Sequence, residues 1–182
     1  HAFIYGLVQG LAEFLPISSS GHLVLLPHFM QIQDPGPFFD LLMHVGTAAA
    51  VLIYFKRQIT AQMKLIPHLF HPEKRPEASY LINFILTTMV SLILIVLMKD
   101  FAETQGRSVA LIIFNLVFFG LLMGLADRRK PSAVGGHQGM EKKICLIEAV
   151  LIGVAQAVAI FPGVSRSGAT LTMGRFLGLE RH

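Results

Sequence analysis

Residues 6–23, GLVQGLAEFLPISSSGHL, place a carboxylate, a proline, three serines and a histidine between apolar flanks. Residues 153–170, GVAQAVAIFPGVSRSGAT, align with this stretch without gaps at seven of eighteen positions. The shared S-x-S-G ending favours a true repeat over the common composition of two membrane helices. Each copy reads as a short apolar helix, a proline with a Ser/Gly turn, and a second short helix, which we expect to begin near Gly21 or Gly168.

Three apolar runs between the copies are long enough to cross a bilayer, which takes about 20 helical residues. They are residues 38–55, 79–98 and 108–126. Hydrophobic residues make up 53% of the chain and charged residues 14%, against about 25% charged in soluble domains. A soluble protein with buried core helices would lack the polar surface to cover three such runs. The single cysteine, Cys145, excludes an intrachain disulfide and a cysteine zinc cluster.

We therefore predict an all-α integral membrane protein, a polytopic helical bundle in a single transmembrane domain over residues 1–182. We expect the chain to lack a C-terminal part of the protein. A first helix of about 13 residues spans only about 20 Å, less than the roughly 30 Å hydrocarbon core. The two copies are therefore predicted to be re-entrant helix-turn-helix hairpins, at about residues 3–30 and 144–178.

The number of spans and the loop charges predict the orientation of the hairpins. Three spans separate the two hairpins, so they enter from opposite faces and form an inverted-topology repeat. Segment 31–37 has no Lys or Arg, whereas 56–78 has five, 99–107 has two and 127–143 has five. The first hairpin is thus predicted to enter from outside and the second from the cytoplasm. Basic residues placed in loops between spans also argue against a nucleic-acid partner, despite a net charge of +4.

The first copy carries groups suited to catalysis. Gln9 and Glu13 are four residues apart and share a helix face that leads into the turn. An ionisable group at this depth is costly and usually functional, although a structural pairing or capping role for Glu13 is the alternative. His22 is a candidate base, acid or nucleophile, whereas lone histidines such as His28 and His44 are more often only hydrogen-bonded. His44 shares a face of the next span with Asp40 and could line the same cavity.

The second copy carries groups suited to phosphate. Serine at a helix start caps the helix, and the remaining N–H groups there bind anions. Arg166 adds a planar cation suited to phosphate. Because an unpaired arginine is unfavourable inside the bilayer, we expect it to pair with an anion, either Glu13 or a ligand. Glu13 aligns with Ile160, and Ser19 aligns with Arg166. The acid and the candidate nucleophile thus lie in one copy and the cation in the other, which an enzyme needs and a symmetric transporter does not. A divalent cation bridging Glu13 to phosphate oxygens would relieve the repulsion between them.

The segments QGLAEFLPISSSGH and PGVSRSGAT resemble the two signature segments of the bacitracin-resistance (BacA/UppP) type undecaprenyl-diphosphate phosphatases, over nearly the whole chain. The only departure is Gln9, where many members have Glu. The resemblance implies a membrane hydrolase that converts undecaprenyl diphosphate to the monophosphate in the bacterial inner membrane, with the site facing outward, and that contributes to cell-wall synthesis and bacitracin resistance. It implies a divalent metal, Mg2+ or Ca2+, held by Glu13 and Gln9. The partners implied are the lipid substrate and membrane lipids, with a homodimer left open.

The resemblance also assigns the site residues. The catalytic residues it implies are Glu13, Ser19, His22 and Arg166. The substrate-binding residues are Gln9, Ser18, Ser20, Gly21, Ser165, Ser167, Gly168 and Thr170.

Ser19 is the expected nucleophile and His22 assists proton transfer, with a metal-activated water as the rival nucleophile. A transporter or flippase of a phosphorylated polyprenyl lipid is the alternative function. A passive membrane scaffold would leave Arg166 and Glu13 unexplained.

Overall fold

The computed structural model describes residues 1–71, 73, 75–76, 78–105, 108–129 and 144–179. Every regular element in these ranges is a helix. Five of the basic loop residues used above for orientation lie outside them: Lys74, Arg107, Lys130, Lys142 and Lys143.

Three long apolar helices coincide with the three predicted spans. They are α3 (Pro37–Tyr54), α5 (Ser79–Gln105) and α6 (Val109–Asp127). All three are long and apolar enough to cross a membrane, and α3 has no buried residue. α5 runs seven residues past the predicted end because residues 98–105, MKDFAETQ, contain good helix formers and no Gly or Pro. A short amphipathic helix, α4 (Lys56–Met63), and a 3-10 helix (Ile66–Phe70) follow α3.

Two pairs of short helices carry the repeated motif. The first helix pair is α1 (Ala2–Phe14) and α2 (Ser19–Met30). The second helix pair is α7 (Leu146–Ala157), extended by a 3-10 turn (Val158–Ile160), and α8 (Arg166–Phe176). Helices of 11 to 13 residues are about 16–20 Å long. We call residues 15–18 the first turn and residues 161–165 the second turn.

Serine caps, not glycines, mark the starts of α2 and α8. Each helix begins two residues before the predicted glycine, at Ser19 and at Arg166. The reason is that Ser18 and Ser165 are the N-caps, and their hydroxyls accept from the backbone N–H of Gly21 (3.4 Å) and Gly168 (3.1 Å). Each glycine therefore lies in the first helical turn, and the expected serine capping is confirmed.

A ladder of polar side chains fixes α7 on α5. Asn83 Nδ2 donates to the Ile144 carbonyl oxygen at 2.7 Å, and Thr87 Oγ1 donates to the Ala149 carbonyl oxygen at 3.0 Å. One turn further along α5, Ser91 Oγ accepts from Gln156 Nε2 at 2.9 Å. The helices are close because Gly153 faces α5, where a Cβ would lie 2.8 Å from the Thr87 carbonyl oxygen. Small residues and interhelical hydrogen bonds of this kind hold helices together in lipid, where apolar burial contributes little.

α6 connects the two helix pairs. It packs against α8 and also contacts α2. Ile112 of α6 is fully buried and forms a small core with Val24 and Leu25 of α2. The second turn passes so close to α6 that a Cβ on Gly163 would lie 2.6 Å from the Ile112 carbonyl oxygen. Gly163 also has a φ of 91°, a backbone conformation that other residues rarely adopt. α6 thus contacts the second turn directly and the first helix pair through α2.

Candidate functional site

The first turn presents two buried serines and a half-buried histidine. Ser18 has a φ of 64° and a ψ of 89°, a left-handed conformation that is uncommon for a residue other than glycine. Its carbonyl oxygen faces Nδ1 of His22 at 2.8 Å. A carbonyl can only accept, so Nδ1 carries the proton and Nε2 is the ring nitrogen left for a ligand. Ser20 Oγ lies 3.4 Å from Ser18 Oγ.

Three side chains contact one carboxylate oxygen of Glu13. Ser19 Oγ donates to Glu13 Oε2 at 2.5 Å, and Gln9 Nε2 donates to the same oxygen at 3.0 Å. His44 Nε2 lies 3.6 Å from it. Among the described residues no protein group donates to the other oxygen, Oε1. Ser19 and Gln9 are buried, whereas the Glu13 side chain is about a third exposed, so one face of the carboxylate is open to a ligand.

Helix α3 forms a further wall of the Glu13 site. Thr47 Oγ1 accepts from Gln9 Nε2 at 3.3 Å and donates to the His44 carbonyl oxygen at 3.0 Å. His44 Nδ1 donates to the Asp40 carbonyl oxygen at 2.8 Å, which directs Nε2 towards Glu13. The structure therefore brings His44, which shares a helix face with Asp40, to the Glu13 site. Thr47 lies on the same face, three residues further along.

Hydrogen bonds from α6 and within the start of α8 surround the second turn. Ser165 Oγ lies 3.1 Å from Ser167 Oγ. Thr170 Oγ1 donates into its own helix, to the carbonyl oxygens of Arg166 (3.2 Å) and Ser167 (3.0 Å). From α6, Asn115 Nδ2 donates to the Pro162 carbonyl oxygen at 2.9 Å. Arg166 is exposed, and it forms no ion pair with a described residue.

The two turns touch each other in a reciprocal manner. A Cβ on Gly21 of α2 would lie 2.9 Å from Cα of Gly163 in the second turn. A Cβ on Gly168 of α8 would lie 3.3 Å from the carbonyl oxygen of Pro16 in the first turn. In the repeat alignment Gly21 pairs with Gly168 and Pro16 with Gly163. The contact of Gly21 with Gly163 and the contact of Gly168 with Pro16 are therefore equivalent in the repeat alignment.

A cavity of about 290 Å3 lies between the turns and α6. His22, Ser165 and Gly168 line its polar part, and Leu116, Phe119 and Met123 of α6 line its apolar part. The cavity has polar groups at the turns and an apolar wall along α6, which suits an amphiphilic ligand with a polar head.

The family of the chain is shown by sequence comparison. The sequence profile of the family described as bacitracin resistance protein BacA matches residues 2–182. The chain belongs to the BacA family. Together with the three long apolar helices, this membership makes it a multi-pass membrane protein.

Curated relatives of this BacA-family chain carry a common name. Proteins named undecaprenyl-diphosphatase from Nocardioides sp., Jannaschia sp. and Rubrobacter xylanophilus are 43%, 40% and 40% identical to it. The matches cover 98–99% of this chain and 65–66% of each relative. The chain thus spans just under two thirds of the length of these proteins.

In this BacA-family chain seven of the twelve predicted site residues fall into three groups, and the other five make the contacts described above: Ser18, Ser20, Gly21, Ser167 and Thr170. Gln9, Glu13 and Ser19 meet at one carboxylate oxygen. The cavity side of the turns carries His22, Ser165 and Gly168, and no hydrogen bond joins His22 to Ser19 in the described residues. Arg166 forms no ion pair with Glu13, so of the two anions considered for it, Glu13 and a ligand, the ligand stays as the prediction.

Thr47 and Asn115 are site residues that the two sequence motifs do not contain. Thr47 could be found from periodicity, since it lies three residues after His44 on one face of a span. Asn115 is a lone amide in the apolar run IIFNLVFF, and polar residues inside spans usually serve a purpose.

The donor set fits a divalent cation that is shared with a phosphate. In the part of the chain that the structure describes, no three His, Cys, Asp or Glu side chains converge on a metal position. Mg2+, however, is usually held by one or two carboxylates together with substrate phosphates and water. Glu13 Oε1, to which no described group donates, could supply one such ligand. Gln9 presents its amide nitrogen to Glu13, and its buried carbonyl oxygen has no hydrogen-bond partner among the described residues, so its metal role stays a prediction.

Proposed function

We propose that the protein hydrolyses undecaprenyl diphosphate to undecaprenyl phosphate and inorganic phosphate, recycling the lipid carrier of cell-wall synthesis. The names of the relatives support this substrate. The observation that carries the proposal is the 2.5 Å hydrogen bond from Ser19 Oγ to Glu13 Oε2. A hydroxyl that donates to a carboxylate has the arrangement of a nucleophile paired with its base.

The proposed membrane arrangement is an inverted repeat of two re-entrant helix pairs. The short helices of both pairs and the reciprocal contacts Gly21–Gly163 and Gly168–Pro16 support it. Irregular backbone at membrane depth requires such protein surroundings. With basic loops on the inside, the first helix pair enters from outside the cell and the second from the cytoplasm. We place the protein in the bacterial plasma membrane with its active site open to the outer side.

Substrate binding is assigned to the two turns and α6. Arg166 offers a bidentate contact for a phosphate, and the first N–H groups of α2 and α8 have no intrahelical partners and favour anions. The prenyl chain runs along the apolar wall of α6, formed by Leu116, Phe119 and Met123. A divalent cation, Mg2+ or Ca2+, would when bound to Glu13 neutralise part of the phosphate charge.

The chemical step transfers the terminal phosphoryl group to Ser19. Glu13 takes the proton of Ser19 as Oγ bonds to the terminal phosphorus, and the bond from that phosphorus to the bridging oxygen breaks. Undecaprenyl phosphate leaves with the electron pair of the broken bond. Water then attacks the phosphoserine, inorganic phosphate leaves, and Ser19 recovers a proton. His22, through Nε2, assists proton transfer at the cavity.

The competing mechanism has Glu13 activate a water molecule and Ser19 only bind the phosphate. The two mechanisms differ in whether the terminal phosphate becomes attached to the protein. Acid quenching of the full-length enzyme with substrate labelled in its terminal phosphate should leave label on protein, and Ser19→Ala should lose both the label and most of the activity. Absence of label, with Ser19→Ala retaining activity within about threefold, would establish the water mechanism.

A flippase for a phosphorylated polyprenyl lipid is the second candidate. The reciprocal contact of two equivalent turns favours it, because paired broken helices are common in transporters. The unequal contents of the turns favour the hydrolase, since Glu13 and Ser19 align with Ile160 and Arg166. Phosphate release from undecaprenyl diphosphate by purified full-length protein in detergent decides between them, because a flippase alone releases none.

A further inference from the structure

A chain of hydrogen bonds runs from the backbone of α3 to Ser19. Thr47 Oγ1 contacts the His44 carbonyl oxygen at 3.0 Å and Gln9 Nε2 at 3.3 Å. Gln9 Nε2 also contacts Glu13 Oε2 at 3.0 Å, where Ser19 Oγ arrives from the other side. Gln9 is 1% exposed, so water does not readily replace either of its contacts.

The direction of the bond between Thr47 and Gln9 follows from the bond that Thr47 makes with the His44 carbonyl oxygen. A backbone carbonyl can only accept a hydrogen bond, so the single hydroxyl proton of Thr47 is donated to the His44 carbonyl oxygen. Towards Gln9, Thr47 can then only accept. Gln9 must therefore present its NH2 group rather than its carbonyl oxygen, and the second proton of that group points at Glu13.

We propose that Thr47 is a positioning residue that turns the Gln9 amide so that it donates to Glu13. In this orientation Gln9 holds Glu13 Oε2 in place as an acceptor for the Ser19 hydroxyl. Rotating the amide by half a turn would place its carbonyl oxygen against the carboxylate, and two acceptors repel. Thr47 acts only through Gln9, and the role rests on the proposed function, in which Glu13 is the base for Ser19.

The test compares Thr47→Val, which has nearly the same shape but no hydroxyl, with Thr47→Ser, which keeps the hydroxyl. In full-length enzyme, Thr47→Val should lower kcat about tenfold, the effect of one lost hydrogen bond to a buried group, and leave KM unchanged. Thr47→Ser should restore most of the rate. In a Gln9→Met background, Thr47→Val should have little further effect, because the amide that it orients is gone.

Thr88→Val is the matched control. Thr88 Oγ1 also donates to a carbonyl of its own helix, that of Phe84 at 2.8 Å, and no described group donates to it. Its replacement should leave kcat and KM as in the wild type. If Thr47→Val fails to fold, as judged by thermal unfolding in detergent, Thr47→Ala takes its place in the same comparisons.

A spectroscopic measurement separates failure of this inference from failure of the proposed function. The infrared carboxylate band that disappears in Glu13→Gln belongs to Glu13, and it should shift in Thr47→Val but not in Thr88→Val. A wild type that releases no phosphate, with the band shifted, overturns only the proposed function. An active wild type whose band and kcat are both unaffected by Thr47→Val overturns the role of Thr47.

Discussion

Replacing Glu13 by Gln tests the base directly, because the side chain keeps its shape and loses its charge and basicity. The amide oxygen of the variant can still accept from Ser19 and Gln9, which both approach one oxygen of the carboxylate. Each bond loses charge assistance, about 1 kcal/mol per bond. Because removal of a partly buried charge offsets this loss, the unfolding temperature in detergent should change little. The amide cannot take the proton of Ser19, so turnover should fall by about 10²–10⁴-fold, the usual contribution of a general base.

The control for this prediction is Glu148→Gln at the start of α7. Glu148 is also a single carboxylate in an apolar helix, but its Oε2 accepts from the Cys145 backbone N–H at 2.9 Å as part of a helix cap. The change should cost up to about 1 kcal/mol of stability and leave the rate within about twofold.

Both variants are assayed by phosphate release from undecaprenyl diphosphate over a range of divalent-ion concentrations. In Glu13→Gln the concentration for half-maximal rate should also rise. A Glu13→Gln enzyme that hydrolyses within about threefold of wild type, with unchanged metal dependence, would refute the base assignment and make Glu13 structural.

Three further changes test the phosphate contact, the meeting of the turns and the orientation. Arg166→Lys keeps the charge but loses the planar fork, and turnover should fall about 10²–10³-fold; full activity would exclude a bidentate contact. Gly21→Ala would place a Cβ 2.9 Å from a backbone atom of the second turn, so it should lower stability by about 1–3 kcal/mol and reduce activity. Gly10→Ala is the control, because its Cβ would meet nothing within 4 Å, and it should lower neither stability nor activity. Equal unfolding temperatures for Gly21→Ala and Gly10→Ala would contradict the close contact at Gly21. In a cysteine-free background, a cysteine replacing Gln33 should react with an impermeant maleimide outside intact cells and one replacing Gln58 should not; the reverse would invert the topology.

The sequence predicts the three long helices and the two pairs of short helices, but not α4 or the 3-10 helix that follows it. Residues 38–55, 79–98 and 108–126 could be identified as spans because length and apolar composition alone determine that property. The serine caps could be predicted because capping is local, within four residues. The expected starts of α2 and α8, near Gly21 and Gly168, lie two residues after the observed starts, because a serine N-cap makes the glycine part of the first helical turn.

The contacts between elements could not be derived in the same way. The motif around Glu13 shows that its carboxylate is unusual, but the hydrogen bonds of Thr47 and Asn115 depend on how α3 and α6 pack against residues 38 and 47 positions away. Such contacts depend on crossing angles and helix rotation, which the spacing of residues along one helix does not determine. The separation of Arg166 from Glu13 has the same origin, because each belongs to a different helix pair.

The polar ladder between α5 and α7 has a consequence for how the chain enters the membrane. α7 has 12 residues, about 18 Å, and is too short to be stable across the hydrocarbon without partners. Asn83, Thr87 and Ser91 on α5 supply those partners, and α5 leaves the ribosome first. The second helix pair therefore emerges beside a docking site that is already in the bilayer. The first pair emerges before α3 and α6, its partners among the described helices, so we expect it to remain at the membrane surface until they are synthesised, and to be the later of the two to become protected from protease during synthesis.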